Sequence, residues 1–145
     1  MDERRGQFEM NWEYDDCLKT ADRHAFFKFM VKSIAEKHGL QVIEDNAQAF
    51  DARGDSFRQG ERSAAVATSF IIQKNLGCFG DGGAISGMDE ELMKRVYRLA
   101  NHGQSERYTH VEIGTNSRLD SLQAAVLNCK LPLLDGDNAH RRKLA

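Results

Sequence analysis

Ser69-Phe70-Ile71-Ile72-Gln73-Lys74-Asn75-Leu76-Gly77-Cys78-Phe79-Gly80-Asp81-Gly82-Gly83-Ala84-Ile85-Ser86 joins an apolar run to a glycine turn and then to a second short apolar run. The lead-in, Ala64 to Ile72, is rich in Ala, Val and Ile and reads as a buried strand. From Lys74 to Gly83, four of ten residues are glycine, which predicts a tight turn with left-handed backbone positions. Ala84-Ile85-Ser86 reads as a further short strand. A lysine therefore sits just past the end of a buried strand, at the mouth of a glycine loop.

Toward the N-terminus the pattern changes to a helical one. Ala25, Phe26, Phe29, Met30, Ile34 and Ala35 recur at helical spacing, predicting a helix from about Asp22 to His38. Gly39 suits its C′ position. Leu40-Gln41-Val42-Ile43 reads as a short buried strand that ends in Glu44-Asp45. Helix, glycine, strand and terminal acid look like one unit of an α/β sheet. Residues 51–63 are charged and read as a loop or irregular hairpin, and residues 1 to about 20 have no clear period.

Toward the C-terminus, Asp89 is the candidate N-cap of a helix with acids in its first turn. Leu92, Val96 and Leu99 mark its apolar face, and Asn101-His102-Gly103 closes it. A polar loop over 103–117 follows. The next helix starts near Asp120, and Leu131-Pro132 ends or kinks it. The tail from Asp137 to Ala145 reads as an exposed helix.

Composition narrows the function classes. Twenty basic and 22 acidic residues leave a net charge of −2, which points to neither nucleic acid nor an anionic membrane as partner. No run approaches the ~20 apolar residues of a membrane span. Met1-Asp2-Glu3-Arg4-Arg5 leads into no apolar stretch of a signal peptide. Cys17, Cys78 and Cys129 are odd in number and far apart, which fits a reducing, cytoplasmic setting and no metal site.

Three features bear on chemistry. Asp45 stands at the carboxyl end of a strand with Gln48 three residues on, and ligands of open α/β sheets bind beyond that end. The acid could equally be a helix cap or a surface acid. Lys74 follows a strand that would partly desolvate it, as a Schiff-base lysine requires, although an ordinary loop lysine would look the same. Gly80-Asp81-Gly82-Gly83 could cradle phosphate through backbone N–H groups, or simply link two strands. Neither GxxxxGK[ST] nor a GxGxxG after a strand is present.

Taken in order, these residues resemble a family. Val42-Ile43-Glu44-Asp45-Asn46-Ala47-Gln48-Ala49, then Ser69-Phe70, then Lys74-Asn75-Leu76-Gly77-Cys78-Phe79-Gly80-Asp81-Gly82-Gly83-Ala84 are similar to motifs of the DegT/DnrJ/EryC1/StrS aminotransferases. Asn101-His102-Gly103-Gln104, Arg107-Tyr108 and His110 continue the match. Gly114-Thr115-Asn116-Ser117-Arg118-Leu119-Asp120 and Gln123-Ala124-Ala125-Val126-Leu127 complete it.

The resemblance covers residues 34–145 and implies an α/β fold: a truncated segment of the fold type I PLP-dependent transferase large domain, with a mixed, mostly parallel sheet flanked by helices. Residues 1–33 remain an unassigned N-terminal segment with the start of a helix. The implied cofactor is pyridoxal 5′-phosphate (PLP). Lys74 aligns with the lysine that bonds to it and carries protons, Asp45 with the acid at the ring nitrogen, and Gln48 with the residue near the phenolic oxygen. Ser69 aligns with a phosphate contact, and Asn116 with an asparagine that reaches the neighbouring subunit's cofactor, implying a homodimer. The implied reaction moves an amino group from glutamate to a nucleotide-linked keto sugar, in amino sugar and polysaccharide biosynthesis. A non-catalytic remnant that associates with a full-length aminotransferase is the alternative. Related sugar dehydratases replace the lysine with His, so Lys74 speaks against that chemistry.

The match has gaps. Ile71-Ile72-Gln73 stands where the family has an aromatic, Pro and a small residue. Gly60-Glu61-Arg62-Ser63-Ala64 lacks the acid of the corresponding block. The segments that bind the phosphate and stack on the ring have no counterpart, which predicts exposed apolar sheet faces and edges.

Overall fold

Asp16 starts the first helix: its side chain accepts from Leu18 N at 2.9 Å, supplying a partner for one of the orphan donors of a helix start. The computed structural model describes residues 11, 13–52 and 59–144. Residues 53–58, within the expected 51–63 loop, and the first ten residues lie outside that range. Helix α1 spans Cys17–Lys37, five residues earlier than its apolar spacing indicates. It closes as a Schellman motif. Gly39 has φ +64°, Gly39 N donates to Glu36 O at 3.1 Å, and Leu40 N donates to Ala35 O at 2.8 Å.

The chain divides into two compact units, Met1–Leu40 and Gln41–Ala145. The helix closes its own C-terminus and falls in a different compact unit from the strand after it. Among the described residues no helix is long and apolar enough to cross a membrane.

The second unit is built on three strands in the order β1-β2-β3. β1 (Ile43–Asp45) runs parallel to β2 (Ala65–Ser69), with Ile43 opposite Ala65 and Asp45 opposite Ala67. Backbone bonds at Ala64 N→Val42 O (2.9 Å) and Asn46 N→Ala67 O (2.8 Å) extend the pairing at both ends. β3 (Gly83–Ser86) is antiparallel to β2, with Ser69 opposite Gly83. The sheet is mixed, as expected. β1 is not the buried strand expected over 40–43: it starts at Ile43, which is 70% exposed. Both outer strands leave apolar side chains open, Ile85 on β3 among them.

Helix α2 (Glu90–Ala100) starts at Asp89, whose carboxylate accepts from Glu91 N and Leu92 N at 2.9 and 3.1 Å. After it the chain makes a two-stranded ribbon, β4 (Gln104–Glu106) and β5 (Thr109–His110), where a plain loop is expected. Gly103 has no room for a side chain, since a Cβ there would meet Glu112 O at 1.7 Å. Helix α3 (Ser121–Lys130) passes through a 3₁₀ turn at Leu131–Leu133, where Pro132 sits, into α4 (Leu134–Leu144).

The core of this unit is small. Leu76, Cys78, Leu127 and Leu134 are buried together, with Phe50, Phe70 and Val126 packed around them. Phe50 and Phe70 meet edge to face, ring centroids 5.9 Å apart. The buried Asn46 exchanges two hydrogen bonds with the Gln59 amide, at 2.9 and 2.6 Å, so its polar groups are paired.

Glu112 ties the segment after β5 to α2. Arg98 Nε and Arg95 Nε each donate to it at 3.1 Å, one to either carboxylate oxygen. The hydrogen bond from Arg98, and then that from Arg95, outweigh partial burial and hold the Glu112 carboxyl below its ordinary value. A lowered carboxyl contributes stability above its unfolded value and loses it as pH falls through the folded one. The expected outcome is that Glu112→Gln lowers the melting temperature near neutral pH, and that the difference from wild type shrinks as acid titrates the carboxyl and as salt screens the pair. A pH-independent difference in thermal melts would contradict this.

Candidate functional site

Parallel pairing of β1 with β2 puts both carboxyl ends on the same side of the sheet. Ligands of open α/β sheets bind there. Side chains alternate along a strand, and register partners share a face. Asp45 lies opposite Ala67, and Ser69 is two residues further along β2, so Asp45 and Ser69 stand on one face of the sheet.

The chain leaves each strand in a tight turn held by the side chain at its end. Asp45 Oδ1 accepts from Ala47 N at 3.0 Å, which turns the backbone toward Gln48. Ser69 Oγ accepts from Ile71 N at 3.3 Å. Among the described residues no group accepts the serine's own hydroxyl proton, which leaves it suited to an anionic oxygen. Lys74 N donates to Ile71 O at 2.9 Å, and the half-buried Lys74 side chain returns toward β1, where its Nζ donates to Gln48 Oε1 at 2.7 Å.

Four of the five residues singled out in the sequence therefore gather at one end of the sheet. Lys74 and Gln48 touch, and Asp45 and Ser69 share one face of the sheet. Asn116 is not hydrogen-bonded to any of them among the described residues. It is exposed and forms an isolated antiparallel bridge with Asn101, just before α3.

The loop that presents Lys74 is closed by its own backbone. Cys78 N donates to Phe70 O at 2.8 Å, and Phe70 N to Gly82 O at 2.7 Å. Gly77 is pressed against the start of the loop: a Cβ there would lie 2.6 Å from Ile72 O and 2.7 Å from Ile71 O. The fully buried Cys78 thiol points at Phe70 O, 3.0 Å away, and is a packing group rather than an exposed reactive one. Ile71-Ile72-Gln73, the departure from the family pattern, is accommodated without losing the turn at Lys74.

Sequence reasoning missed the side chains that fasten this loop. Asn75 Nδ2 donates to Phe50 O at 2.7 Å, Gln123 binds the backbone of Phe79, and Lys130 Nζ donates to Gly77 O. The available signal was the seven-residue interval between Gln123 and Lys130, two turns on one helix face, with Val126 and Leu127 between them.

The donor set fits PLP. It offers an amine for an aldehyde, a carboxylate for a ring nitrogen, an amide, and a hydroxyl for a phosphate, all at the sheet end where such ligands bind. No group of three or more metal-ligating side chains occurs among the described residues.

Comparison with known proteins bears on the family and the fold. A sequence model of the DegT/DnrJ/EryC1/StrS aminotransferase family matches residues 29–145. A dTDP-3-amino-3,4,6-trideoxy-alpha-D-glucose transaminase of Streptomyces venezuelae is 49% identical over 115 residues, covering 79% of this chain and 30% of the relative. The crystal structure of a DegT DnrJ EryC1 StrS aminotransferase from Brucella abortus superposes with a TM-score of 0.69 at 43% identity, covering 73% of this chain and 29% of that one. NtdA of Bacillus subtilis, solved with its cofactor PMP bound, superposes with a TM-score of 0.59 at 34% identity, covering 67% of this chain and 22% of that one. The chain thus spans about 30% of the length of the first of these relatives.

The beginning of the chain matches something else. A model of the glutamine synthetase catalytic domain matches residues 1–54. Glutamine synthetase of Rhizobium leguminosarum bv. phaseoli is 78% identical over 41 residues, covering 28% of this chain and 9% of the relative. The two sequence models overlap over residues 29–54, and the two compact units divide inside that overlap, after Leu40.

Replacing Gly77 by Ala is expected to push the Cβ into two carbonyls and cost about 1–3 kcal/mol of unfolding free energy, as overpacking does. Urea unfolding of Gly77→Ala beside wild type measures this, and an unchanged midpoint would show the loop to be looser than its backbone bonds imply.

Proposed function

Because the chain belongs to the DegT/DnrJ/EryC1/StrS aminotransferase family, a family of PLP enzymes with the fold type I large domain, we propose that its second unit carries the lysine segment of a transamination. The acceptor is a nucleotide-linked keto sugar, the amino donor is glutamate, and the compartment is the cytoplasm. The observation that carries this reading is the 2.7 Å contact between Lys74 Nζ and Gln48 Oε1, at the end of two parallel strands that hold Asp45 and Ser69 on one face.

PLP supplies, when bound, an aldehyde that takes up amino groups and a ring that accepts electrons as a proton leaves the neighbouring carbon. Lys74 would hold it, and the same amine would serve as the group that carries the proton. Asp45 would face the ring nitrogen, where a carboxylate favours the protonated ring. Gln48 fixes where the lysine amine rests and would face the phenolic oxygen of the cofactor. The Ser69 hydroxyl donates to phosphate. Asn116, which lies outside the Lys74 group, serves the cofactor of a second subunit, so the working unit is a homodimer.

The domain organisation belongs to the same proposal. Aminotransferase-like sequence runs over residues 29–145 and overlaps a glutamine synthetase-like stretch over residues 1–54. A specific observation favours one alternative, a non-catalytic segment that associates with a full-length aminotransferase: Ile43 and Ile85 stand exposed on the face that carries Asp45.

The test is covalent capture. The purified chain is mixed with PLP, reduced with borohydride and digested. A pyridoxyl mass on the Lys74 peptide, absent in Lys74→Ala, is the expected result. A folded wild-type chain that acquires no label at Lys74 would sink the catalytic reading, and co-purification with a full-length relative would then favour the alternative.

A further inference from the structure

The loop that carries Lys74 is closed by its own backbone, but its place on the sheet is set from outside. Gln123, in the first turn of α3, accepts from Phe79 N through Oε1 at 2.9 Å and donates back from Nε2 to Phe79 O at 3.4 Å. One side-chain amide thus takes both backbone groups of a loop residue, as a neighbouring strand would. Two turns on, Lys130 Nζ donates to the carbonyl of Gly77. A charge-assisted bond of this kind, partly shielded from water, is among the stronger ones available to a loop.

Residues seven apart lie on one face of a helix. Between Gln123 and Lys130 on that face, Leu127 is buried with Leu76 and Cys78 of the loop. The apolar contact seats α3, and the two polar ends decide where the loop rests along it. Asn75 in turn holds Phe50 O, so the stretch 75–79 is gripped at three successive odd positions, 75, 77 and 79. Lys74 directly precedes the first of them.

We propose that Gln123 and Lys130 are positioning residues that hold the loop so that the Lys74 amine stays at Gln48. The proposal rests on the reading of Lys74 as the cofactor-bonding lysine. A tie that merely stabilised the unit would weaken folding without singling out Lys74. A positioning tie changes the behaviour of that amine above all others.

The experiment uses the full chain as wild type, Gln123→Leu, Lys130→Met and Lys130→Arg, each checked for folding by circular dichroism. In one sample the lysines compete for limiting acetic anhydride, and partial acetylation of Lys74 is read by mass spectrometry as a ratio to the exposed Lys143. In a separate, unacetylated sample, attachment of PLP at Lys74 is timed by borohydride trapping. In Gln123→Leu and Lys130→Met the acetylation ratio is expected to rise about tenfold, and PLP attachment to slow about tenfold, the equivalent of about one hydrogen bond. Lys130→Arg, which keeps a charged donor, restores both to within about twofold.

A ratio and an attachment rate unchanged in both variants overturn the positioning role. Loss of folding in both variants shows a structural tie and overturns it equally. If only one variant unfolds, the other decides. A shifted acetylation ratio in a chain that takes up no PLP, even as wild type, leaves the tie standing and removes the cofactor reading.

Discussion

Ala67 sits where two segments of chain far apart in sequence are brought side by side: its carbonyl accepts from Asn46 N, and it faces Asp45 across the parallel ladder. A parallel pair cannot be closed by a short turn, so its register has to be held by the residues on both strands. A slip by one residue would turn every side chain of β1 to the opposite face. Asp45 would then leave the face of Ser69, and Gln48 would no longer meet the amine of Lys74. The site depends on this register more than on any single side chain in it.

What holds the register is mostly polar. β1 is three residues long and Ile43 is exposed, so burial contributes little there. Instead Asn46, buried one step beyond the strand, exchanges bonds with Gln59, and Gly60 N donates to Glu44 Oε2 at 3.3 Å. These contacts fix the chain leaving β1 against the chain about to enter β2. An unpaired Asn46 would carry the full desolvation cost of a buried amide, which makes the alternative registers expensive.

The features that could be read from sequence are those decided within a few residues. Asp89 caps α2 through its own side chain, Gly39 takes the left-handed turn after α1, and the glycines after Lys74 allow a loop in which Gly77 touches two carbonyls. The strand–lysine order was also legible, because a strand end followed by a turn needs no distant information. The start of α1 was not: Cys17 to Ala21 show no apolar period, and the start depends on one bond from Leu18 N to Asp16. Nor was the β4–β5 ribbon, whose position depends on Gly103 lying under Glu112 O. Burial of β1 was misread because an apolar run says nothing of how many strands cover it. The grip of Gln123 on Phe79 spans 44 positions of sequence, and only the packing of α3 makes it visible.

The similarity to glutamine synthetase and the similarity to the aminotransferases overlap across the boundary between the two compact units, and the local backbone chemistry there is simple. A helix end is demanding, because its last four carbonyls need donors. In α1 the N–H groups of His38, Gly39 and Leu40 turn back onto Ile34, Ala35 and Glu36, so those carbonyls find partners before the aminotransferase-like strand begins. The strand in turn takes its backbone partners from β2, beginning with the bond between Val42 O and Ala64 N. The backbone bonds described on either side of Leu40–Gln41 are thus made within each unit. A join at that point asks for no new backbone pairing from either side, whereas a join inside α1 or inside β1 would leave one half of a helix or a ladder without its partner.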